Sequence, residues 1–351
     1  MISLCFTSLA SPPPPPCFAV LVHAPGGGHG RGRRTLPRDP VDPELRVRNV
    51  SDAHYFLVLA GPWRHDNGSI RDERGWGSRG WCRVEQLANA LSPRVKPLIV
   101  ASSDVAIHTY GPGGMLTRSW LYNPVGLANF TVDADRTPLG PTIASLIEAR
   151  ARLALTRDDL VLYRMLRACK RRLLEGLPAA AEVEVAPYHE WMQTMRFATV
   201  GDEQGASGLT PLLFAVIAGR LDLCRQLLAN GSSVSTRLAA SHPQYELVKG
   251  QSLLSVACAI RDEPELIELL LAHGATPSDT STDPKLYPLH FATMHGHKGN
   301  IDALMRHQTS RCSLESQCGS CPLRGDVPFA CTSHQTHSPD YTFPIPSLSI
   351  D

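Results

Sequence analysis

Four residues near the C-terminus have types and spacing that could bind a metal ion. Cys318 and Cys321 are separated by two residues, and Cys331 and His334 repeat that spacing. Two such pairs of sulfur and nitrogen ligands match the ligand count of a small tetrahedral zinc site. The surrounding sequence is rich in Ser, Thr, His and Pro and offers no apolar framework. A disordered Cys/His/Ser-rich tail over 308–351, without a metal, is therefore the favoured interpretation, and a zinc site is the alternative.

A single carboxylate, Glu85, is the candidate catalytic group. It lies in residues 78–87, which read Ser-Arg-Gly-Trp-Cys-Arg-Val-Glu-Gln-Leu. This segment resembles the Ser-x-Trp-Cys-x-x-Glu-Leu signature of Toll/interleukin-receptor (TIR) domains, whose corresponding glutamate is catalytic in the members that hydrolyse NAD. The resemblance implies that Glu85 would stabilise charge or contact ribose as the nicotinamide bond breaks. The alternative is a carboxylate in the first turn of a helix, where the helix dipole favours it.

The elements around Glu85 form a predicted α/β segment over 51–135. Residues 54–60 are aromatic and β-branched and predict a buried strand. Apolar residues then recur at three- and four-residue spacing from Trp81 to Leu91, which predicts an amphipathic helix. Residues 97–101 predict a second strand. Strand, helix and strand in this order indicate a βαβ unit with a parallel sheet, which the TIR resemblance interprets as a remnant of that domain.

Composition indicates the rest of the domain organisation. The chain has 351 residues, and its 29 Pro and 27 Gly are concentrated in particular stretches. Residues 1–50 are Pro/Gly-rich and predicted to be disordered. Residues 140–200 predict a helical capping or linker region, with helices from residue 142 to 155 and again after residues 156–159.

The formal net charge of +1 gives no electrostatic footprint for nucleic acid or an anionic membrane, so both partners are unlikely. No apolar run approaches the roughly 20 residues that span a bilayer. Four separated cysteines lie on apolar or helical patterns, as buried free thiols do: Cys82, Cys169, Cys224 and Cys258. We therefore expect a cytoplasmic protein.

Residues 205–307 contain a repeated pattern of two helices. A Gly-x-Thr-Pro-Leu-like opening at residues 208–215 recurs at 250–257 and at 286–292, and each opening precedes a second helical run. An insertion around residues 238–248 separates the first two copies. Thr or Ser caps the first helix, Pro suits its first turn, and Gly closes the second helix in a left-handed conformation.

This pattern resembles the ankyrin repeat, which opens with Thr-Pro-Leu-His-x-Ala and closes with Leu-Leu-x-x-Gly. About three degenerate copies are present. The residues that carry the resemblance are Thr210, Pro211, Leu212, Ala215, Gly219, Leu227, Leu228, Gly231, Ser252, Leu253, Leu254, Ala257, Leu270, Leu271, Gly274, Pro288, Leu289, His290, Ala292 and Gly296.

The fold class expected is mainly α, an ankyrin-repeat helical solenoid preceded by a small βαβ segment, with disordered termini. The resemblance implies a scaffold that binds another protein through the concave face of the first helices, without catalysis or a cofactor. The alternatives are a TIR-like NAD hydrolase regulated by ankyrin repeats and a zinc- or nucleic-acid-binding protein.

Overall fold

The chain is mainly helical, as its sequence predicts. The computed structural model describes residues 2–4, 18–22, 42–61, 63–64, 70–101, 107–110, 124–178, 186–203, 205–282 and 285–315. Within these residues the helices are α1 (Pro43–Asp52), α2 (Glu73–Gly77), α3 (Gly80–Leu91), α4 (Arg136–Thr156), α5 (Leu160–Leu173), α6 (Tyr188–Thr194), α7 (Pro211–Ala218), α8 (Leu221–Ala229), α9 (Leu253–Ile260), α10 (Pro264–Ala272), α11 (Pro288–Met294) and α12 (Lys298–Glu315).

A five-stranded sheet lies in the N-terminal part. The strands are β1 (Ile2–Leu4), β2 (Phe18–Val22), β3 (Tyr55–Leu59), β4 (Trp63–Arg64), β5 (Ile70–Arg71), β6 (Leu98–Ala101) and β7 (Ile107–Tyr110). The sheet order is β1-β2-β3-β6-β7, and β4 pairs with β5 separately. Only β3 and β6 pair in parallel within this sheet, with Phe56 opposite Leu98. Together with α3 between them, this pairing confirms the predicted βαβ unit.

Within residues 1–50, which the composition predicts to be disordered, the structure describes residues 2–4, 18–22 and 42–50. β1 and β2 belong to the sheet, and α1 begins at residue 43, so the boundary predicted at residue 50 falls inside a helix. The Asp42 side chain caps α1, Pro43 occupies its first turn, and Val47 and Val50 are buried. Lys96 Nζ donates to the carbonyl oxygens of Val50 and Ser51 at the other end of α1. The prediction missed α1 because it used the average composition of 50 Pro- and Gly-rich residues, in which a short amphipathic segment is not visible.

Helices α4 and α5 pack on each other, and they join the N-terminal helices to the C-terminal ones, since α4 packs on α1 and α3 and α5 packs on α7. α4 begins at residue 136, earlier than the predicted residue 142, and continues through Pro141. Thr156 is the last residue of α4, and Asp159 alone caps α5 by accepting from the N–H of Leu162 at 3.0 Å.

Helices α7 to α12 follow as three pairs. α7 packs on α9 and α9 packs on α11, while α8 packs on α10, so the first helices of the pairs form one row. We call α7, α9 and α11 the inner helices. α5 packs on the first of them, α7.

The chain divides into two compact units, Met1–Gln308 and Thr309–Asp351. One hydrophobic core runs through the first unit, from the sheet to the last helix pair. In the second unit the structure describes helical backbone over 309–315. Among the described helices, none combines the length and the apolar character that crossing a membrane requires.

Candidate functional site

The first helix pair begins and ends as its sequence predicts. The side chain of Thr210 accepts a hydrogen bond from the N–H of Leu213 at 3.2 Å, and Pro211 is the first residue of α7. Gly219 ends α7 with φ 65°, and Gly231 follows α8 with φ 91°. Both angles lie in the left-handed region, where glycine alone avoids steric strain. The motif residues Leu212, Ala215, Leu227 and Leu228 are buried in the core.

The second helix pair begins with the same kind of side-chain cap and ends at a glycine, with Ser in place of Thr at the cap. Ser252 Oγ accepts from the N–H of Ser255 at 3.3 Å and caps α9, while Gly274 after α10 has φ 92°. The remaining motif residues of this pair are buried, namely Leu253, Leu254, Ala257, Leu270 and Leu271. The predicted capping and closing roles are thus present in this pair too.

The third pair begins differently, because a tyrosine occupies the cap position. The backbone N–H of Tyr287 donates to Nδ1 of His290 at 2.9 Å, so the histidine satisfies an amide at the start of α11. Pro288 and Ala292 are buried, and Leu289 is partly buried. Gly296 follows α11 with φ 70°.

A buried asparagine that the sequence analysis missed joins the second pair to the third. Asn300 Oδ1 accepts from the N–H of Glu263 at 2.9 Å, and Asn300 Nδ2 donates to the carbonyl oxygen of Arg261. Asp262 in turn accepts from the N–H groups of Gly299 and Asn300 at 3.1 and 2.9 Å. In the sequence, this contact is marked only by an Asp and an Asn near the starts of the second helices in successive copies. That is a weak signal for the contact, because such residues are common at helix starts.

The inner helices differ sharply in how much of their surface is exposed. Three positions are compared, namely the cap residue, the third helical residue and the seventh. They are Thr210, Leu213 and Ile217 in α7, Ser252, Ser255 and Ala259 in α9, and Tyr287, His290 and Met294 in α11. The six residues of α7 and α9 are at most 4% exposed. Tyr287 is 44% and Met294 46% exposed, and His290 is exposed. We call Tyr287, His290 and Met294 the α11 surface.

Helix α5 packs on α7, the inner helix of the first pair. Its buried side chains include Leu162, Met165, Leu166, Cys169 and Leu173. Beyond its end, Glu175 Oε2 accepts from Arg261 Nη2 at 3.2 Å, which brings the segment after α5 to the end of α9.

The opposite end of α5 is held by α6 and the residues that follow it. Arg164 donates to the carbonyl oxygens of Met195 and Arg196 at 2.9 and 2.8 Å, and its guanidinium lies 3.8 Å from the ring centroid of Phe197. Tyr163 Oη donates to the carbonyl oxygen of Thr194 at 2.8 Å. These contacts fix α5 at both ends.

The insertion over residues 238–248 is also part of the core. It contains a 3-10 turn at Pro243–Tyr245, and Leu238, Tyr245 and Leu247 are buried. Burial raises the pKa of Tyr245, and the nearby carboxylate of Asp159 adds to the shift. The insertion therefore packs toward the start of α5 and does not project as a loop.

The compared positions of the inner helices are thus buried within the chain in the first two pairs. A signal for this was present in the sequence. α7 reads Pro-Leu-Leu-Phe-Ala-Val-Ile-Ala and α9 reads Leu-Leu-Ser-Val-Ala-Cys-Ala-Ile. A helix that is hydrophobic on all sides is covered on all sides, whereas a helix with a free binding face is amphipathic.

The charges around the α11 surface are mostly positive. Lys285 and Lys298 flank α11 and are exposed, and Arg171 is exposed near the end of α5. The sequence has no Asp or Glu between residues 285 and 301. Burial lowers the pKa of His295 to about 4, and the positive charges of His297 and Arg172 contribute.

Glu85 occupies a closed position in the structure. It is 6% exposed, and its Oε1 accepts from Arg46 Nη1 at 2.9 Å. The Arg46 guanidinium also lies 4.5 Å from the ring centroid of Trp81, and Trp81 Nε1 donates to Asp135 Oδ2 at 2.9 Å. α3 begins at Gly80, so Glu85 is beyond the first turn, and the explanation by the helix dipole is corrected. Its charge is balanced by Arg46 instead.

The candidate zinc ligands Cys318, Cys321, Cys331 and His334 lie outside the described residues. Within the described ranges, no three His, Cys, Asp or Glu side chains are grouped so that they could hold a metal ion.

The four separated cysteines carry reduced thiols and are buried, namely Cys82, Cys169, Cys224 and Cys258. Burial raises the pKa of Cys169 and of Cys224 to about 12. These two thiols are therefore protonated at neutral pH and unsuited to nucleophilic chemistry.

Comparison with known proteins agrees with the geometry of the first helix pair. No curated protein matches the chain. Residues 207–237, which include α7, α8 and their capping residues, match the family model of the ankyrin repeat.

Proposed function

We propose that the protein is a non-catalytic interaction module and that its three helix pairs are three ankyrin repeats stacked as a short solenoid. The matched repeat at residues 207–237 supports an interaction module in general. The row of inner helices and the packing of α8 on α10 support the stack. α4 to α6 close its N-terminal side. We also propose a cytoplasmic location, where buried free thiols stay reduced.

The α11 surface is the part of the concave face at which we expect a partner protein to bind. The observation that carries this proposal is the change in exposure along one row of equivalent positions. These positions are buried in α7 and α9 and open at Tyr287 and Met294 in α11. Tyr and Met are side chains that interfaces favour, because they supply apolar area in an adaptable or amphipathic form.

The test is quantitative capture of proteins on the full chain. Tyr287→Ser with Met294→Ser removes the apolar part of the α11 surface. The matched control is Leu127→Ser with Val132→Ser, which changes two residues of similar exposure outside the helix pairs. We expect the α11 variant to lose at least one captured protein by about tenfold or more, as removal of an interface anchor does. The control should retain that protein. Capture that is equal on both variants would contradict the proposed surface.

Both variants must also fold as the parent does. The four substituted residues are exposed, so we expect each variant to keep the stability of the parent to within about 0.5 kcal/mol. Urea denaturation followed by circular dichroism measures this.

A further inference from the structure

We propose that the α11 surface binds an amphipathic helix of another protein whose apolar stripe is flanked by acidic side chains. This inference rests on the proposed function and specifies the kind of partner. Its grounds are a helix that packs on the first inner helix, the spacing of the three exposed residues, and the charges around them.

The chain itself shows that the inner face accepts a helix. α5 packs on α7, and its buried residues include Leu162, Met165, Leu166, Cys169 and Leu173. The compared positions are buried in α7 and α9 and exposed in α11. The α11 surface is therefore the exposed end of a row of inner helices whose first member already packs on a helix.

The exposed residues have the geometry of a groove floor for such a helix. Tyr287, His290 and Met294 are spaced i, i+3 and i+7, so they form one stripe about 10 Å long on α11. The rings of Tyr287 and His290 lie 5.4 Å apart between centroids. A stripe of this length matches two turns of a partner helix that presents apolar residues at i, i+3 or i+4 and i+7.

The charges select an acidic helix. Lys285 precedes the stripe and Lys298 follows it, and both are exposed. The sequence has no Asp or Glu between residues 285 and 301, and Asp262 is engaged by the N–H groups of Gly299 and Asn300. Asp or Glu on the partner would pair with the two lysines, whereas Lys or Arg would meet like charge.

Helix α5 stays in place when the partner binds. Most of its residues are buried, and Arg164 and Glu175 attach its two ends to α6 and α9. Exchange of α5 for a partner helix would expose this apolar stripe to water, which opposes displacement. The partner is therefore added beside α5.

The test uses the full chain and a displayed library of 16-residue helix-forming peptides. One face and its flanking positions are randomised. The enriched peptides are expected to carry Leu, Met or aromatic residues at i, i+3 or i+4 and i+7, with Asp or Glu beside them. A synthetic copy of an enriched peptide should become helical when bound, as circular dichroism measures.

Three variants of the full chain then locate the binding. Tyr287→Ser with Met294→Ser should raise the Kd of the synthetic peptide at least tenfold. Lys285→Glu with Lys298→Glu should raise it severalfold at low salt and less at high salt. Leu127→Ser with Val132→Ser should leave it unchanged.

Some outcomes would overturn this inference alone. Enriched peptides that are basic or proline-rich, yet lose binding with Tyr287→Ser and Met294→Ser, would disprove an acidic helix and leave the α11 surface as the binding site. The absence of any enriched peptide would also overturn the helical partner. Binding that all three variants retain would place the site elsewhere and contradict the proposed function as well.

Discussion

Asn300 and Glu263 are joined across the boundary between the second and third helix pairs. The side-chain oxygen of Asn300 accepts from the N–H of Glu263 at 2.9 Å, and Asn300 is fully buried. Its side-chain amide also donates to the carbonyl oxygen of Arg261. One side chain therefore satisfies a donor and an acceptor at the end of α9 and the start of α10. The third pair, which carries the α11 surface, is attached to the second through this contact.

Asn300→Ala should destabilise the protein by about 1–3 kcal/mol, because it leaves partly buried backbone groups of Arg261 and Glu263 without their partner. Asn230→Ala is the matched control, since Asn230 is exposed and donates to the carbonyl oxygen of Gln226 within its own helix pair. We expect that control to cost less than about 0.5 kcal/mol. Urea denaturation measures both. Equal losses in the two variants would contradict a special role for Asn300.

The ion pair of Glu85 with Arg46 should be structural. Glu85→Ala leaves the Arg46 guanidinium buried without its carboxylate, and loss of one partner of a buried pair costs about 3–5 kcal/mol. Replacement of both residues, with Arg46→Met and Glu85→Leu, should recover much of that stability. Denaturation of the three proteins measures the difference. A double variant that is no more stable than Glu85→Ala would contradict the view that the single substitution destabilises the protein by leaving Arg46 without its carboxylate.

The same carboxylate provides the test of NAD hydrolysis. Glu85→Gln keeps an acceptor for Arg46, so this variant is the one most suited to an activity assay. We expect the parent and Glu85→Gln to release nicotinamide from NAD at the same background rate, because Glu85 is closed off by Arg46. Faster release by the parent would support the TIR-like alternative.

Acidification should weaken the fold through His295. Burial lowers its pKa in the folded protein to about 4, with His297 and Arg172 adding to the shift. The unfolded chain binds the proton from about pH 6.5 downward, whereas the folded chain resists it until about pH 4. The contribution of His295 to the free energy of unfolding is therefore complete above pH 6.5. It decreases by about 2–3 kcal/mol as the pH falls toward 4.

His295→Gln should remove this part of the pH dependence, and His189→Gln should not, since His189 is exposed. Unfolding free energies measured between pH 7 and pH 4 report the difference. A pH profile that is the same in the parent and in His295→Gln would contradict the assignment.

Gly126 should tolerate no side chain. The backbone of Gly126 meets the backbone of Glu175 and Gly176, so a Cβ at Gly126 would overlap those atoms. Gly126→Ala should therefore destabilise the protein by about 1–3 kcal/mol or more, as forced overpacking does. Gly77→Ala is the control, because a Cβ there meets no atom within 4 Å. Thermal denaturation of the two variants is the measurement, and a similar midpoint for both would be the contrary result.

Local rules explain how much of the fold could be predicted from the sequence. Thr210 and Ser252 cap their helices, and Gly231 and Gly274 follow the second helices with positive φ, because these functions depend on neighbours within a few residues. The βαβ unit was also predictable from periodicity and order. Helix α1 was not, because a ten-residue amphipathic pattern was masked by the composition around it.

The candidate site was predicted only as a class of surface. Thr210, Ser252 and Tyr287 hold equivalent positions, and their exposure depends on contacts with residues distant in sequence. The spacing of residues within a repeat does not indicate whether another helix, such as α5, packs on that repeat. The apolar sequence of α7 and α9 shows that they are covered, without naming what covers them.

The sequence by itself thus determined the helix caps of the first two pairs and the order of the helix pairs, and it indicated a general role in protein binding, because capping, periodicity and turn chemistry act over short distances. The tertiary structure decided that α5 packs on α7, that Arg46 closes off Glu85, and that Tyr287, His290 and Met294 are left open. Each of these depends on groups brought together across tens of residues, which long-range packing alone determines.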